Sequence, residues 1–149
     1  ERTGHFTHRL QTSNRIKAGD VSGHVNNLGY WALKIDRRQY KGHRVAWFYV
    51  HGTWPPQEID HIDGNKLNNA IANLRLANRA ENVRNRGTPR ANTSGYKGVS
   101  FHKHQQKWRA YISANGRQQS LGYYDTPEEA SKAYAAAVHE VHGEFGRAA

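Results

Sequence analysis

The sequence predicts an α+β protein with two small units, and three observations lead to this prediction. Hydrophobic residues make up 36% of the 149-residue chain, which is low for one thick core. Alternating apolar patterns typical of strands occur in both halves, whereas helical spacing is confined to a few segments. Between the halves, "RNRGTPRANTSG" (residues 84–95) has the Gly, Pro, Ser and Thr content of a linker. We therefore expect domains at residues 1–90 and 91–149, with the boundary near residues 88–93.

The first half is predicted to begin with strands and a short helix. In "YWALKID", Trp31, Leu33 and Ile35 alternate on one face, which predicts a strand, and "RRQY" continues into a second one. The segment "HRVAWFYVHG" predicts a helix that ends at Gly52. The residues expected on the core side of this helix are Val45, Ala46, Phe48 and Tyr49.

Residues 59–86 predict a strand, a loop around Gly64, a returning strand and a basic helix. Because neighbouring strand residues face opposite ways, Asp60 can reach toward the helix while His61 points into a cleft. The carboxylate of Asp60 and the amide of Asn82 are oxygen donors that suit Mg²⁺. A neutral His61 can take a proton from water that attacks a phosphodiester. The spacing fits equally well a polar hairpin on a basic binding module, with Asp60 and His61 as surface residues.

The second half predicts three antiparallel strands followed by one helix. The strands are "YKGVSFHK", "KWRAYIS" and "RQQSLGYY", with a turn at residues 114–116. "DTPEEASKAYAAAVHEVHG" predicts a helix with Thr126 as its cap, Pro127 in its first position and Gly143 after its last turn. Alternation turns Trp108, Ala110 and Ile112 toward the helix. The residues left on the open face of the same strand are Arg109, Tyr111 and Ser113.

The charge predicts a polyanionic partner. The formal net charge is +10 and the isoelectric point is about 10.1, and residues 1–90 alone carry +8. Nucleic acid is the expected partner, and a solvated charged surface is the alternative. We expect no membrane binding, because the sequence has neither a long apolar run nor a basic amphipathic helix. The absence of Cys fits a cytoplasmic protein. No signal peptide opens the chain, and its first residue is not Met, which leaves room for a native start further upstream.

Residues 59–86 resemble the HNH, or ββα-metal, endonucleases, and most closely those of the phage homing type. The resemblance implies that His61 is the general base, that Asn73 holds the loop and orients His61, and that Asp60 and Asn82 bind Mg²⁺ or Mn²⁺. Asn82 stands where the family name has its last His, which disfavours zinc. Arg44, in a His-Arg pair often found in the family, and the helix arginines Arg84 and Arg86 are expected to contact DNA. The matching positions are Asp60-His61, Asp63-Gly64-Asn65, Asn68-Asn69, Asn73-Leu74-Arg75 and Asn82.

Residues 94–145 resemble the ethylene-response-factor type of DNA-binding domain, the plant apetala-two fold. The shared segments are "YKGV", "KWRAYI" and "LGYYDTPEEASKAYAAAV". Several DNA-facing positions that hold arginine or tryptophan in the plant proteins are smaller here, so the base preference does not transfer. The positions that match the DNA-facing residues of that family are Lys97, Ser100, His102, Arg109, Tyr111, Ser113, Gln118 and Ser120.

The sequence thus leads to one main hypothesis and a rival from another class. The main hypothesis is a metal-dependent, homing-type endonuclease that acts on double-stranded DNA as a monomer, nicking one strand, in the cytoplasm of a bacterial or phage-infected cell. The rival is a DNA-binding regulator with a catalytically inactive HNH-like domain. RNA binding is a weaker alternative, because the sheet face lacks the paired aromatic residues that stack unpaired bases.

Overall fold

The computed structural model describes residues 4–11, 13–88, 91–114 and 116–148. The chain divides into two compact units, Glu1–Arg79 and Ala80–Ala149. The sequence predicts a domain boundary between residues 90 and 91, which is nearer the C-terminus than the division between these two units. That boundary stays a prediction. Pro89 and Arg90, within that expected boundary, lie outside the described residues. The α+β class predicted from the sequence is confirmed.

The first unit is built from short antiparallel strands and one helix. Its strands are β1 (Phe6–Thr7), β2 (Val21–Ser22), β3 (His24–Val25), β4 (Trp31–Ile35), β5 (Arg38–Lys41), β6 (Glu58–His61) and β7 (Leu74–Ala77). Its helix is α1 (Gly42–His51), and a 3-10 turn, Ile71–Asn73, precedes β7. Among the described residues, β1 pairs with β2, β3-β4-β5 form a second sheet, and β6 pairs with β7.

Helix α1 ends as the sequence predicts and buries Val45 and Ala46 of the predicted core side, but not the rest of it. Gly52 has a φ of 72° and its N–H donates to the carbonyl of Phe48, which closes the last turn. Phe48 and Tyr49, expected in the core, are exposed, so that part of the prediction is wrong. The Phe48 ring instead stacks on the Trp54 ring at the surface, with 4.7 Å between the ring centroids. Ile35, which the sequence places on the same face of β4 as Trp31 and Leu33, is also exposed.

The core of the first unit ties α1 to the β6–β7 hairpin. Ala46 of α1, Ile59 of β6 and Leu74 of β7 form one buried apolar cluster. Burying side chains of this size stabilises the fold by roughly 1.5–3 kcal/mol each for Ile and Leu. Because Ile59 immediately precedes Asp60, this packing also fixes the strand that carries the polar residues singled out by sequence.

The second unit is a three-stranded antiparallel sheet packed on one helix, as predicted. Its strands are β8 (Val99–His102), β9 (Lys107–Ala114) and β10 (Arg117–Tyr124), and their order in the sheet is β10-β9-β8. Val99 and Ala110 of the sheet are buried with Ala130 of the helix, and Ile112 is buried with Tyr134 and Val138. Asn115, in the predicted turn, lies outside the described residues. Helix α2 (Arg79–Arg84) follows β7, and helix α3 (Pro127–His142) follows β10.

The start of α3 is fixed by a reciprocal pair of hydrogen bonds. The Thr126 hydroxyl accepts from the Glu129 N–H, and the Glu129 carboxylate accepts from the Thr126 N–H, both at 3.3 Å. Such a cap stabilises a helix by about 1 kcal/mol. Gly143 ends the helix, as the sequence predicts. Within the described ranges, no helix has the length and apolarity needed to cross a bilayer.

Candidate active site and nucleic-acid interface

The β6–β7 hairpin holds the two adjacent residues on which the catalytic hypothesis depends. In its register Asp60 lies opposite Arg75 and His61 lies opposite Leu74. Asp60 and His61 are each only 5% exposed, so they are not the surface residues of the alternative interpretation. Polar side chains buried to this extent need partners, and each of the two has a specific one.

The partner of His61 is Asn69, from the loop between the two strands. His61 Nε2 lies 3.1 Å from Asn69 Oδ1, and Asn69 is fully buried. Because an amide oxygen only accepts, Nε2 of the neutral ring carries the proton and the basic lone pair is on Nδ1. Sequence analysis placed Asn69 in the family pattern without giving it a role. Its contact with His61 depends on how the loop folds back, which spacing alone does not reveal.

Two glycines make room for Asn69. Gly4 has a φ of 66°, and a Cβ there would overlap the backbone of Asn69. A Cβ on Gly42 would lie 2.9 Å from Asn69 Nδ2. Among the described residues, Asn69 Nδ2 has no hydrogen-bond partner, so packing holds this side of the amide while His61 holds the other. The N-terminal segment and the start of α1 therefore both support the hairpin loop.

The asparagine-rich loop is held by side-chain hydrogen bonds to the backbone. Asn73 Nδ2 donates to Asp63 Oδ1 at 2.9 Å and to the Asn68 carbonyl at 2.8 Å, while Asn73 Oδ1 accepts from the Asp63 N–H at 3.0 Å. Asp63 also accepts from the Asn65 N–H and from Asn68 Nδ2. The asparagine and aspartate side chains thus satisfy backbone groups of the loop and one another, which explains why these residue types recur in it.

Burial and hydrogen bonds shift the pKa values of two residues of the hairpin, His61 and Asp63. Burial lowers the pKa of His61, and the nearby Lys66 adds to this, against the opposing effects of Asn69, Asp63 and Asp60. Burial raises the pKa of Asp63, but its hydrogen bonds with Asn68, Asn65 and Asn73 outweigh this and lower the pKa overall. Near neutral pH, His61 is therefore neutral and able to accept a proton, and Asp63 is ionised.

A second buried histidine lies beside His61. The rings of His43 and His61 are perpendicular, with centroids 5.0 Å apart. His43 is 5% exposed, and its Nδ1 has no hydrogen-bond partner among the described residues. Burial, followed by the charges of His61, Lys41 and Arg44, lowers the pKa of His43 to about 3. The sequence placed His43 only in a His-Arg pair at the start of the helix, and its burial next to His61 is a finding of the structure.

Arg44 has partners within the protein. Its guanidinium donates to the carbonyls of Gln57 and Pro55, each at 3.4 Å. These long hydrogen bonds attach α1 to the segment that leads into β6. The expected DNA contact of Arg44 stays a prediction.

In the second unit, strand register gathers most of the expected DNA-facing residues on one surface. Ser100 pairs with Arg109, Ser120 with Tyr111, and Gln118 with Ser113. His102 pairs with Lys107, two residues from Arg109 and therefore on the same face. The opposite face holds the buried Val99, Ala110 and Ile112 against α3. We call this exposed surface the open face; the expected residues on it are Ser100, His102, Arg109, Tyr111, Ser113, Gln118 and Ser120.

Comparison with known proteins gives both units a family. A family model described as "HNH endonuclease" matches residues 40–84, and one described as "AP2 domain" matches residues 94–144. "Protein 3.8" of Escherichia phage T7 is 42% identical over 106 residues, which cover 70% of this chain and 87% of that protein. The chain belongs to the HNH endonuclease family and carries an AP2 domain after its HNH domain.

Two further similarities extend over most of the chain. An uncharacterized HNH endonuclease of Acanthamoeba polyphaga mimivirus is 36% identical over 124 residues, covering 82% of this chain and 63% of that protein. A solved structure titled "DNA binding and cleavage by the HNH homing endonuclease I-HmuI" aligns with 95% of this chain and 83% of its own, at 24% identity and a TM-score of 0.42.

The HNH domain offers the oxygen donors that a hard divalent cation prefers. Asp60 is a buried carboxyl group, and Arg75 donates to its Oδ2 through Nη2 at 2.8 Å and Nε at 2.9 Å. Within the described ranges, no group of three or more His, Asp or Glu side chains is placed to hold a metal ion. A site of one carboxylate and one amide nevertheless fits Mg²⁺, which keeps several waters and binds phosphate oxygens. Asn82, the expected second ligand, is on α2 in the second compact unit.

The remaining expected DNA-binding residues lie outside the open face of the AP2 domain. Lys97 is in the turn before β8, and its ammonium donates to the carbonyl of Arg84. Burial, with the charge of Arg147, lowers the pKa of Lys97. Arg84 is the last residue of α2, and Arg86 follows it as an exposed residue.

A β-bulge adds one residue to the open face that sequence analysis missed. Register shifts between Ser120 and Gly122, so Leu121 is an extra residue in β10. The bulge lets both Leu121 and Tyr124 pack on the core. Tyr123 consequently lies opposite Arg109 on the open face, with its ring 5.2 Å from that of His102. The signal in the sequence is Gly122, whose φ of 128° suits glycine.

Proposed function

We propose that this protein is a metal-dependent DNA endonuclease of the homing type, which hydrolyses phosphodiester bonds in duplex DNA. The observation that carries the proposal is the buried contact, 3.1 Å long, between Asn69 Oδ1 and Nε2 of His61, the residue that follows Asp60 in β6. It orients a neutral imidazole with its basic nitrogen defined, which is what a general base requires. Family membership and the phage relative support the same proposal.

In the proposed reaction, His61 takes a proton at Nδ1 from the water that attacks phosphorus. Asn69 keeps the opposite nitrogen protonated, so the ring accepts the proton at one atom and becomes imidazolium. Asp60 and Asp63 are acidic neighbours whose charges favour that imidazolium. Mg²⁺ or Mn²⁺, held by Asp60 and Asn82, would supply positive charge to the phosphate and the departing 3′ oxygen. Asn73 maintains the loop through Asp63 and Asn68.

The AP2 domain is proposed to bind the duplex through its open face. Arg109, whose guanidinium lies 5.6 Å from the centre of the Tyr111 ring, and the neighbouring Tyr123 form the centre of that surface. A three-stranded sheet presents side chains to base edges and phosphates in the major groove. The net charge of +10 supplies a further attraction that does not depend on sequence. With a phage protein among its relatives, we place this action in the bacterial cytoplasm.

Supercoiled plasmid tests the proposal against the alternative of an inactive DNA-binding regulator. We expect nicked product with Mg²⁺, none with EDTA and none from His61→Ala. DNA binding by His61→Ala, measured in EDTA, should remain near that of the unmodified protein. Binding without cleavage by the unmodified protein in Mg²⁺ and in Mn²⁺ would support the regulator instead. Cleavage by His61→Ala at an unchanged rate would show that another group deprotonates the water.

A further inference from the structure

Two lysines from different parts of the HNH domain meet at one tyrosine ring. Lys41 is the last residue of β5, Lys66 is in the hairpin loop, and Tyr30 comes immediately before β4. The Lys41 ammonium lies 5.0 Å from the centre of the Tyr30 ring, and the Lys66 ammonium lies 4.7 Å from it. Both lysines are exposed, whereas Tyr30 is half-buried. The fold therefore concentrates two positive charges at a ring that is itself held in place.

This cluster lies next to the proposed general base. The Tyr30 ring is 6.2 Å from the His61 ring and 5.4 Å from the His43 ring, measured between centroids. Lys66 donates one hydrogen bond to the carbonyl of Leu28 at 3.1 Å, which fixes its side chain across the loop. The two ammonium groups thus lie at a ring that is a neighbour of His61.

Neither lysine forms an ion pair with a carboxylate in the part of the chain that the structure describes. The ion pair of Arg75 with Asp60 and that of Lys107 with Asp125 include neither Lys41 nor Lys66. An exposed cation on an aromatic face gains little stabilisation. Two ammonium groups at one ring also repel each other, so ring packing is a weak reason to collect both. An anion that contacts both lysines would remove the repulsion.

We propose that Lys41, Lys66 and the Tyr30 ring form a binding site for backbone phosphate of the DNA strand that enters the HNH domain, beside His61. The ligand is a phosphodiester group, bound through charge and ammonium hydrogen bonds without reading the base. Tyr30 acts as the platform that keeps the two lysine stems extended toward the strand. The inference rests on the proposed DNA-cleaving function, but it concerns binding and can be tested without cleavage.

The test is the salt dependence of duplex binding by the full chain, with His61→Ala in every variant and EDTA present. Each phosphate contact that is lost should lower the slope of log K against log salt by about 0.9. Because both lysines contact the same phosphate, we expect Lys41→Gln with Lys66→Gln to lower the slope by about 0.9, and Lys41→Arg with Lys66→Arg to retain it. Lys17→Gln with Lys34→Gln is the matched control, because it removes equal charge from exposed lysines of the same unit.

The outcomes separate this inference from the proposed catalysis. A larger loss of slope in the Lys41 and Lys66 pair than in the control pair supports the phosphate site, whether or not plasmid is ever cleaved. Equal slopes in the two pairs overturn it, even if the plasmid assay shows nuclease activity. If the lysines only brace Tyr30, the glutamine pair lowers the unfolding midpoint while its slope equals that of the control, which also overturns the inference.

Discussion

His61 Nε2 and Asn69 Oδ1 lie 3.1 Å apart in the closed interior of the β6–β7 loop. The contact assigns each ring nitrogen a separate task, since the one that faces the amide oxygen must carry the proton. Asn69 is thus a positioning residue for the proposed base. It acts through the ring and not on the substrate, so its loss should affect the rate more than the binding of DNA.

Replacing Asn69 should therefore lower turnover. For Asn69→Ala we expect kcat to fall by roughly 10–100-fold while Kd for DNA changes little, because the imidazole loses its fixed tautomer. Asn69→Asp should place a carboxylate beside Nε2 and raise the pKa of His61. The acidic limb of its rate profile should then move to higher pH, because His61 becomes neutral only above its pKa. Asn27→Ala, at an exposed asparagine of the same unit, is the control. An unmoved limb in Asn69→Asp would argue against this role.

Metal dependence should follow from the two oxygen ligands. Asn82→Ala is expected to lose most activity in Mg²⁺ and to recover part of it in Mn²⁺, which binds the remaining ligands more tightly. Asp60→Asn is preferable to Asp60→Ala, because its amide oxygen can still accept a hydrogen bond from the half-buried Arg75. Titration of cleavage with each metal measures the effect. Normal activity of both variants at low Mg²⁺ would exclude this ligand pair.

The first unit should lose stability in acid because of His43. Its pKa is about 3 in the folded protein and 6.5 in an ordinary setting, so the unfolded chain binds the extra proton between these values. Stability is therefore retained above pH 6.5 and falls as the pH drops toward 3, by up to about 1.4 kcal/mol per pH unit.

Urea unfolding followed by tryptophan fluorescence measures this loss. Trp108→Phe confines the signal to the first unit, which holds the other three tryptophans. From pH 7 to pH 5, a non-titrating His43→Gln variant should lose about 2 kcal/mol less than its parent. Parallel losses in the two proteins would show that His43 is not the group responsible.

The open face should contribute one charged contact through Arg109. Arg109→Gln is expected to weaken duplex binding and to lower the salt slope by about 0.9. Lys132→Gln provides the comparison, because it removes the same charge from an exposed position on α3, the helix packed on the opposite face. Identical binding curves for these two variants would remove Arg109 from the DNA interface.

A single active site suggests a monomer that cuts one strand at a time. In the proposed mechanism one His61 and one Asp60 act on one scissile phosphate, and the two different DNA-binding elements proposed suit an asymmetric target better than a palindrome. We expect a nicked plasmid intermediate with 5′-phosphate and 3′-hydroxyl ends, and a monomer by light scattering. Direct conversion of supercoiled to linear plasmid, or a dimer at low concentration, would contradict this expectation.

Local signals explain most of what sequence predicted correctly. Helix α3 carries its cap, its first-turn Pro127 and its terminal Gly143 within a few residues, and the β9 alternation is regular. The strands β1, β2 and β3 were missed because two residues are too few to establish a period. Phe48 and Tyr49 were misassigned because helical spacing predicts a face but not which half of the helix is covered.

The site shows the same division between local and distant determinants. The positions of Asp60 and His61 on one strand followed from the residue pattern, and Asn73 holds the loop through neighbours in sequence. The contacts of His61 with Asn69 and His43 depend on chain segments that meet only after folding. No spacing rule connects such segments, so a lone histidine at the start of a predicted helix gave no sign of burial.

The ion pair between Asp60 and Arg75 has a consequence for how the protein is made. A buried carboxylate without a counter-ion would oppose folding until a cation arrived, as happens in small domains that collapse only around their metal. Arg75, directly across the hairpin, supplies that counter-ion from within the chain. A newly synthesised polypeptide can therefore mature in a metal-poor environment and remain intact under chelation, with unfolding curves that coincide in EDTA and in buffer alone. The supply of divalent cation would then determine when the protein is active, but not whether it stays folded.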